Sequence, residues 1–94
     1  MTYRTEFPDF PEADMPAMPE GFVDASWKND SCPCFVSEAA GLTLFVDYAD
    51  ASSREFPETT RFSLVRQATD ERLVDTDDWN AVLAAIAANE ATNA

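Results

Sequence analysis

The sequence predicts an α+β fold: a small antiparallel meander of four or five strands, one C-terminal helix packed on one face of that sheet, and an extended proline-rich N-terminal arm. Three observations support this. Short segments of alternating apolar and polar residues, separated by turn residues, fill the middle of the chain. An apolar stripe with helical spacing follows near the C-terminus. Four of the six prolines lie within residues 1–20. With 94 residues, the chain has room for one small domain, expected at residues 21–94.

Residues 1–20 are predicted to form an arm that is distinct from this domain. Proline fixes φ, removes an N–H donor and biases the preceding residue toward extended conformations. An extended or polyproline-like path is therefore expected here, rather than a helix or a central strand. Apolar side chains recur through the arm, and we expect Phe7 and Phe10 to pack back onto the domain. The alternatives are an arm that binds a groove of a partner protein in an extended form and an arm that is disordered.

The strands are expected where apolar and polar residues alternate with a period of two. The expected segments are residues 22–28, 34–38, 42–48, 61–67 and 72–75. The segment 42–48 is the clearest, because Leu42, Leu44 and Val46 fall on one face together with Tyr48. Turn residues separate neighbouring segments, and such neighbours pair most economically as an antiparallel meander.

A helix is expected at the C-terminus. Its apolar stripe consists of Trp79, Val82, Leu83 and Ile86. These positions follow the i, i+3, i+4, i+7 spacing of a helix that covers one face of a sheet. Thr76 is the expected N-cap. Asp77 and Asp78 fall in the first turn, where exposed amide groups favour negative charge.

The charge composition excludes several classes of partner. Eighteen acidic residues, six basic residues and no histidine give a formal net charge of −12. Nucleic acid and anionic membranes are unexpected as direct partners, because both are bound through cationic side chains. No apolar run approaches the roughly 20 residues that span a bilayer, and the N-terminus lacks the pattern of a secretory signal. We therefore expect a cytoplasmic protein.

Catalytic and metal-binding residues are scarce. Without histidine, a nucleophile would need a carboxylate or a lysine of unusual pKa as its base. Cys32 and Cys34 cannot complete a tetrahedral zinc site by themselves, and a redox pair is normally separated by two residues. We expect one cysteine to be buried in a strand and the other to lie at its start. Two cysteines also do not make a disulfide framework. The expectation is a protein without enzymatic activity, metal or cofactor.

Acidic residues are expected to collect at one end of the sheet. In a meander, the connections 29–33 and 49–60 and the step 75–78 into the helix fall at the same end. The residues expected there, called the acidic cap below, are Asp30, Asp47, Asp50, Glu55, Glu58, Asp75, Asp77 and Asp78. A solvated face plus a capped helix is one alternative. Another is the evenly spread acidity of proteins from salt-loving organisms.

In size, charge and clustered carboxylates, the chain resembles the small acidic inhibitors of phages and mobile elements, namely anti-CRISPR and DNA-mimic proteins. The resemblance implies that the acidic cap blocks the basic nucleic-acid-binding site of a target protein, of which a CRISPR effector subunit is one example. Carboxylates at i and i+2 of a strand lie about 7 Å apart, a spacing comparable with that of neighbouring phosphates. The alternative is an acidic immunity protein, an antitoxin or another small interaction module.

Overall fold

The computed structural model describes residues 2–93 of the chain, with side chains described through residue 89. Five strands form one antiparallel sheet in which the spatial order equals the chain order. The strands are β1 (Val23–Asp24), β2 (Cys34–Ser37), β3 (Leu42–Val46), β4 (Phe62–Arg66) and β5 (Arg72–Thr76), and the helices are α1 (Tyr3–Glu6) and α2 (Trp79–Asn93). Short 3₁₀ turns lie at Glu12–Asp14 and Ala51–Ser53. The predicted meander with one C-terminal helix is confirmed.

The registers of the central strands place one set of alternating side chains on the inner face of the sheet. Leu44 of β3 lies opposite Phe35 of β2 and Leu64 of β4, and Val46 lies opposite Phe62. All five are buried. Because successive residues of a strand point to opposite faces, this alternation assigns the whole inner face to the core.

Helix α2 and the N-terminal segment cover that inner face. Helix α2 packs on β4 and β5, with the Trp79 and Phe62 rings 5.1 Å apart. The N-terminal segment covers the side of the sheet that carries Phe35 and Tyr48. Its Phe10 ring lies 4.9 Å from the ring of Tyr48. The Tyr48 hydroxyl donates a 2.7 Å hydrogen bond to Asp9 of the same segment.

The extended proline-rich arm is not confirmed. Residues 3–6 form the helical turn α1, which ends at Phe7, the residue before the first proline. A residue before proline disfavours the helical region, so the turn cannot continue there. Phe7 and Phe10 are buried, at 8% and 5% exposure, as predicted. The segment is also tied to the edge of the sheet, because the Tyr3 amide donates to Asp24.

The helix stripe and its cap differ from the prediction. Val82 and Ile86 are buried as expected, but Leu83 is 38% exposed, and the buried stripe continues instead to Asn89. Helix α2 packs mainly on the last two strands, and Leu83 lies at the exposed flank of the stripe. Thr76 ends β5, and α2 begins at Trp79. Thr76 is therefore not the N-cap.

Strand β1 spans two residues rather than the expected 22–28. Beyond it, the Ser26 side chain accepts a hydrogen bond from the Cys34 amide, and the Ala25 amide donates to the Cys34 carbonyl. These contacts hold residues 25–26 beside β2 without a regular ladder. In the part of the chain that the structure describes, no helix has the length and apolarity needed to cross a membrane.

Candidate functional site

Four residues of the acidic cap line a single cavity. Asp47, Glu55, Glu58 and Asp75 surround a space of about 460 Å³, called the cap cavity below. Its floor is the outer face of the sheet, where Phe45 and Ser63 lie opposite each other on β3 and β4. Its rim is the loop 49–60, which follows β3. The meander thus brings the carboxylates of the loop 49–60 to the same cavity as Asp75 of the last strand.

Asp47 and Asp75 enter the cavity from the sheet. Asp47 directly follows β3, and its carboxylate accepts a 2.9 Å hydrogen bond from the Tyr48 amide. Partial burial raises the pKa of Asp47, and the nearby charge of Glu55 adds to that effect. On β5, the Asp75 carboxylate accepts a 2.5 Å hydrogen bond from the Ser63 hydroxyl and lies 3.4 Å from the Arg72 guanidinium.

Glu55 and Glu58 are carried by a loop that Arg54 folds upon itself. The Arg54 guanidinium donates to three main-chain carbonyls, those of Tyr48 (2.7 Å), Thr59 (2.5 Å) and Ala49 (3.4 Å). These bonds join the start of the loop to its end. Both glutamates are exposed at the surface of this closed loop.

Asp50 has a local role at the start of the same loop. Its carboxylate accepts hydrogen bonds from the amide and the hydroxyl of Ser52, at 3.0 and 2.7 Å. This caps the 3₁₀ turn at Ala51–Ser53. The hydrogen bonds from Ser52 lower the pKa of Asp50, because they stabilise the charged form. Asp50 does not line the cap cavity.

The remaining cap residues lie outside the cavity. Asp77 accepts a 2.8 Å hydrogen bond from the Arg61 amide. Asp78 immediately precedes α2 and accepts a 3.0 Å bond from the Asn80 amide, so Asp78 takes the capping role that was predicted for Thr76. Asp30 is exposed in the turn before β2. The structure thus brings four of the eight predicted residues around one cavity and gives three others local structural contacts.

The two arginines nearest the loop form no ion pair with a carboxylate of the cap among the described residues, although the charge of Arg54 acts to lower the pKa of Asp47. Arg54 uses its donors on main-chain carbonyls, as described above. The Arg61 guanidinium donates to the carbonyl of Asp14 in the N-terminal segment and lies 4.8 Å from the centre of the Phe62 ring. Cation and carboxylate are therefore close without being paired.

Ion pairs are few in the described part of the chain. They join Arg4 to Glu12, Arg66 to Glu71, and Arg72 to Asp75. Asp47, Glu55 and Glu58 have no ion-pair partner among residues 2–89. Their negative charge is therefore left available to a group from outside the molecule.

The two cysteines are buried, and burial raises the pKa of each. Cys34 begins β2 and Cys32 precedes it by two residues; both are free and buried. Burial, with the charge of Asp47 as a smaller cause, raises the pKa of Cys32 to about 12. Burial and the charge of Asp30 raise that of Cys34 to about 11. Among the described residues, no group of three or more cysteine, aspartate or glutamate side chains is arranged to hold a metal ion.

Two features of the site were not found from the sequence. Phe56, on the wall of the cap cavity, is 56% exposed, and Arg54 closes the loop that carries it. The exposed Phe56 could have been noticed in the sequence, because it is an aromatic residue between two glutamates in a polar loop. Nothing in the sequence indicates which carbonyls an arginine will bind.

No protein-family model, curated protein or solved structure matches this chain. The geometry of the site and the charge of the chain are thus the basis on which a function can be argued.

Proposed function

We propose that this protein is a non-catalytic inhibitor that binds another protein. Its acidic cap would occupy the basic nucleic-acid-binding site of the target, in the manner of the anti-CRISPR and DNA-mimic proteins that it resembles. The observation that carries the proposal is the set of unpaired carboxylates Asp47, Glu55 and Glu58 at the cap cavity. A cationic surface would supply the ion-pair partners that these groups lack within the described chain.

The disposition of the nearby arginines supports the proposal. An acidic surface whose own cations are paired with it attracts a basic partner weakly. Here Arg54 donates to main-chain carbonyls and Arg61 donates to the Asp14 carbonyl. Neither forms an ion pair with a carboxylate among the described residues, so a partner's arginine or lysine need not displace them. Complementary charge of this kind raises the association rate and orients the two proteins.

The available chemistry favours binding over catalysis. The chain has no histidine, and both thiols have raised pKa values. Of the carboxylates at the cavity, Asp75 is held by Ser63 and Arg72. Exposed glutamates on a loop are suited to contact with a cationic surface, which needs charge at the right place rather than a proton donor of tuned pKa.

The test compares two variants of equal charge. The cap variant carries Asp47→Asn, Glu55→Gln and Glu58→Gln. The control carries Glu20→Gln, Glu38→Gln and Asp70→Asn, which lie outside the cap cavity. Asp70 has a positive φ of 59°, and asparagine tolerates that conformation. Each variant removes three charges from a net −12.

The measurement uses the target protein, captured from source cells with the unmodified chain and then purified. We expect the cap variant to associate roughly tenfold more slowly at low salt, with a shallower salt dependence. The control should stay close to the unmodified chain. The captured protein should also bind nucleic acid in competition with this chain. Equal losses in the two variants would instead indicate an evenly spread acidity that serves solubility, and absence of competition would refute the inhibitory mechanism.

A further inference from the structure

One large apolar side chain is exposed within the acidic cap. Among the described residues, the exposed large apolar side chains are Val23, Trp27, Phe56 and Leu83. Of these, Phe56 lines the cap cavity, where it lies between Glu55 and Glu58 in the chain. A surface that acts through charge alone does not require an exposed ring at this position.

The loop presents Phe56 in a fixed conformation. Arg54, two positions before it, joins three carbonyls of the loop and its flanks. After it, the Thr59 amide and hydroxyl both donate to the Phe56 carbonyl, at 3.1 and 2.8 Å. Pro57 further restricts the chain between them. These bonds restrain the backbone that carries Phe56, which lowers the cost of ordering the loop when it binds.

We propose that Phe56 is the apolar anchor of the acidic cap: it inserts into an apolar pocket that lies within the basic surface of the partner protein. This inference rests on the proposed function and adds to it the kind of surface that the partner must have. The flanking carboxylates attract and orient a cationic surface, whereas burial of an aromatic ring at the centre of an interface slows dissociation. The partner is therefore a basic protein with an apolar pocket among its cationic side chains.

The experiment uses two synthetic octapeptides of equal positive charge as probes. One alternates arginine with leucine and the other alternates arginine with glycine. We expect the full chain to bind the arginine–leucine peptide roughly three- to tenfold more tightly, because about half of the Phe56 side chain is available for burial. Phe56→Ala should abolish this preference while leaving the affinity for the arginine–glycine peptide unchanged.

Two controls separate the anchor from a general effect on the fold. Phe56→Trp keeps an aromatic anchor and should keep the preference. Leu83→Ala removes another exposed apolar side chain, on helix α2, and should also keep it. Loss of the preference in Leu83→Ala, or its survival in Phe56→Ala, would overturn the inference.

The outcomes also distinguish this inference from the proposed function. If both peptides bind equally and the cap variant weakens both, the acidic cap binds cations and only the role of Phe56 is wrong. If neither peptide binds, or if the cap variant binds them as the unmodified chain does, the proposed function fails and this inference fails with it.

Discussion

The packing of helix α2 on the sheet predicts that truncating Ile86 destabilises the fold far more than truncating Leu83, a side chain of similar size three positions earlier. Ile86 is 4% exposed and belongs to the core, whereas Leu83 is 38% exposed. Truncation of a buried isoleucine to alanine typically costs about 2–5 kcal/mol, because the loss of transfer free energy is increased by the cavity left behind. For Leu83→Ala we expect a loss of about 1 kcal/mol or less, since the site is open to water and can relax.

The assay is thermal and urea unfolding followed by circular dichroism. For a domain of this size, each kcal/mol lost from the free energy of unfolding lowers Tm by about 4–8 °C. Ile86→Ala should therefore lower Tm by roughly 8–40 °C, and Leu83→Ala by less than about 8 °C. Both substitutions introduce alanine into the same helix, so helix propensity changes little between them. Equal losses of stability in the two variants would refute the orientation of α2 described here.

Two further predictions concern titratable groups. Because burial raises the pKa of Asp47 above its ordinary 3.8, the folded state binds a proton more tightly than the unfolded state, and stability falls as pH rises through that range. Asp47→Asn should therefore raise Tm at pH 7 and have no such benefit below about pH 3; a lower Tm at pH 7 would contradict this. The pKa values of about 12 for Cys32 and about 11 for Cys34 predict slow modification by a disulfide reagent at pH 8 in the folded protein and rapid modification in urea. Rapid reaction of the folded protein would show that the thiols are not buried.

The strands could be predicted because their residues obey a short-range rule. From residue 34 onward, apolar side chains alternate with polar ones, and turn residues separate the segments. Each predicted segment from 34–38 to 72–75 overlaps the corresponding observed strand. A period of two fixes which residues face the core once neighbours pair antiparallel. The prediction of residues 22–28 as a strand was too long because, after Asp24, a side-chain contact of Ser26 with the Cys34 amide takes the place of a regular ladder.

In the N-terminal segment, the proline content does not predict the conformation of the residues that precede the first proline. Prolines begin at position 8, so residues 3–6 are free to form a helical turn. The same turn places the Tyr3 amide against the Asp24 carboxylate and the Glu6 carboxylate against the Lys28 amide. These contacts span about twenty residues, and no local pattern predicts them.

The boundary of the helix stripe depends on tertiary structure in the same way. The spacing of Val82, Leu83 and Ile86 is compatible with one apolar face, but the width of that face depends on how much sheet lies beneath it. Helix α2 packs mainly on β4 and β5, at one side of the sheet, so only a narrow stripe is covered. Asn89 completes the stripe and bonds to Ala40 and Arg66. A polar residue thus takes a position that sequence periodicity assigns to an apolar one.

For the acidic cap, the positions of the charged groups could be predicted from the sequence, but their ion-pair partners could not. The chain order of a meander was sufficient to place Asp47, Glu58 and Asp75 at one end of the sheet. The structure adds that Arg54 and Arg61, which lie beside these carboxylates, donate to main-chain carbonyls. An arginine bound in this way still makes the local potential less negative, but it forms no ion pair with a carboxylate among the described residues. A basic partner therefore meets carboxylates without ion-pair partners in that part of the chain, two of them on a loop that Arg54 ties together by hydrogen bonds, and this combination is what makes the cap suitable for binding.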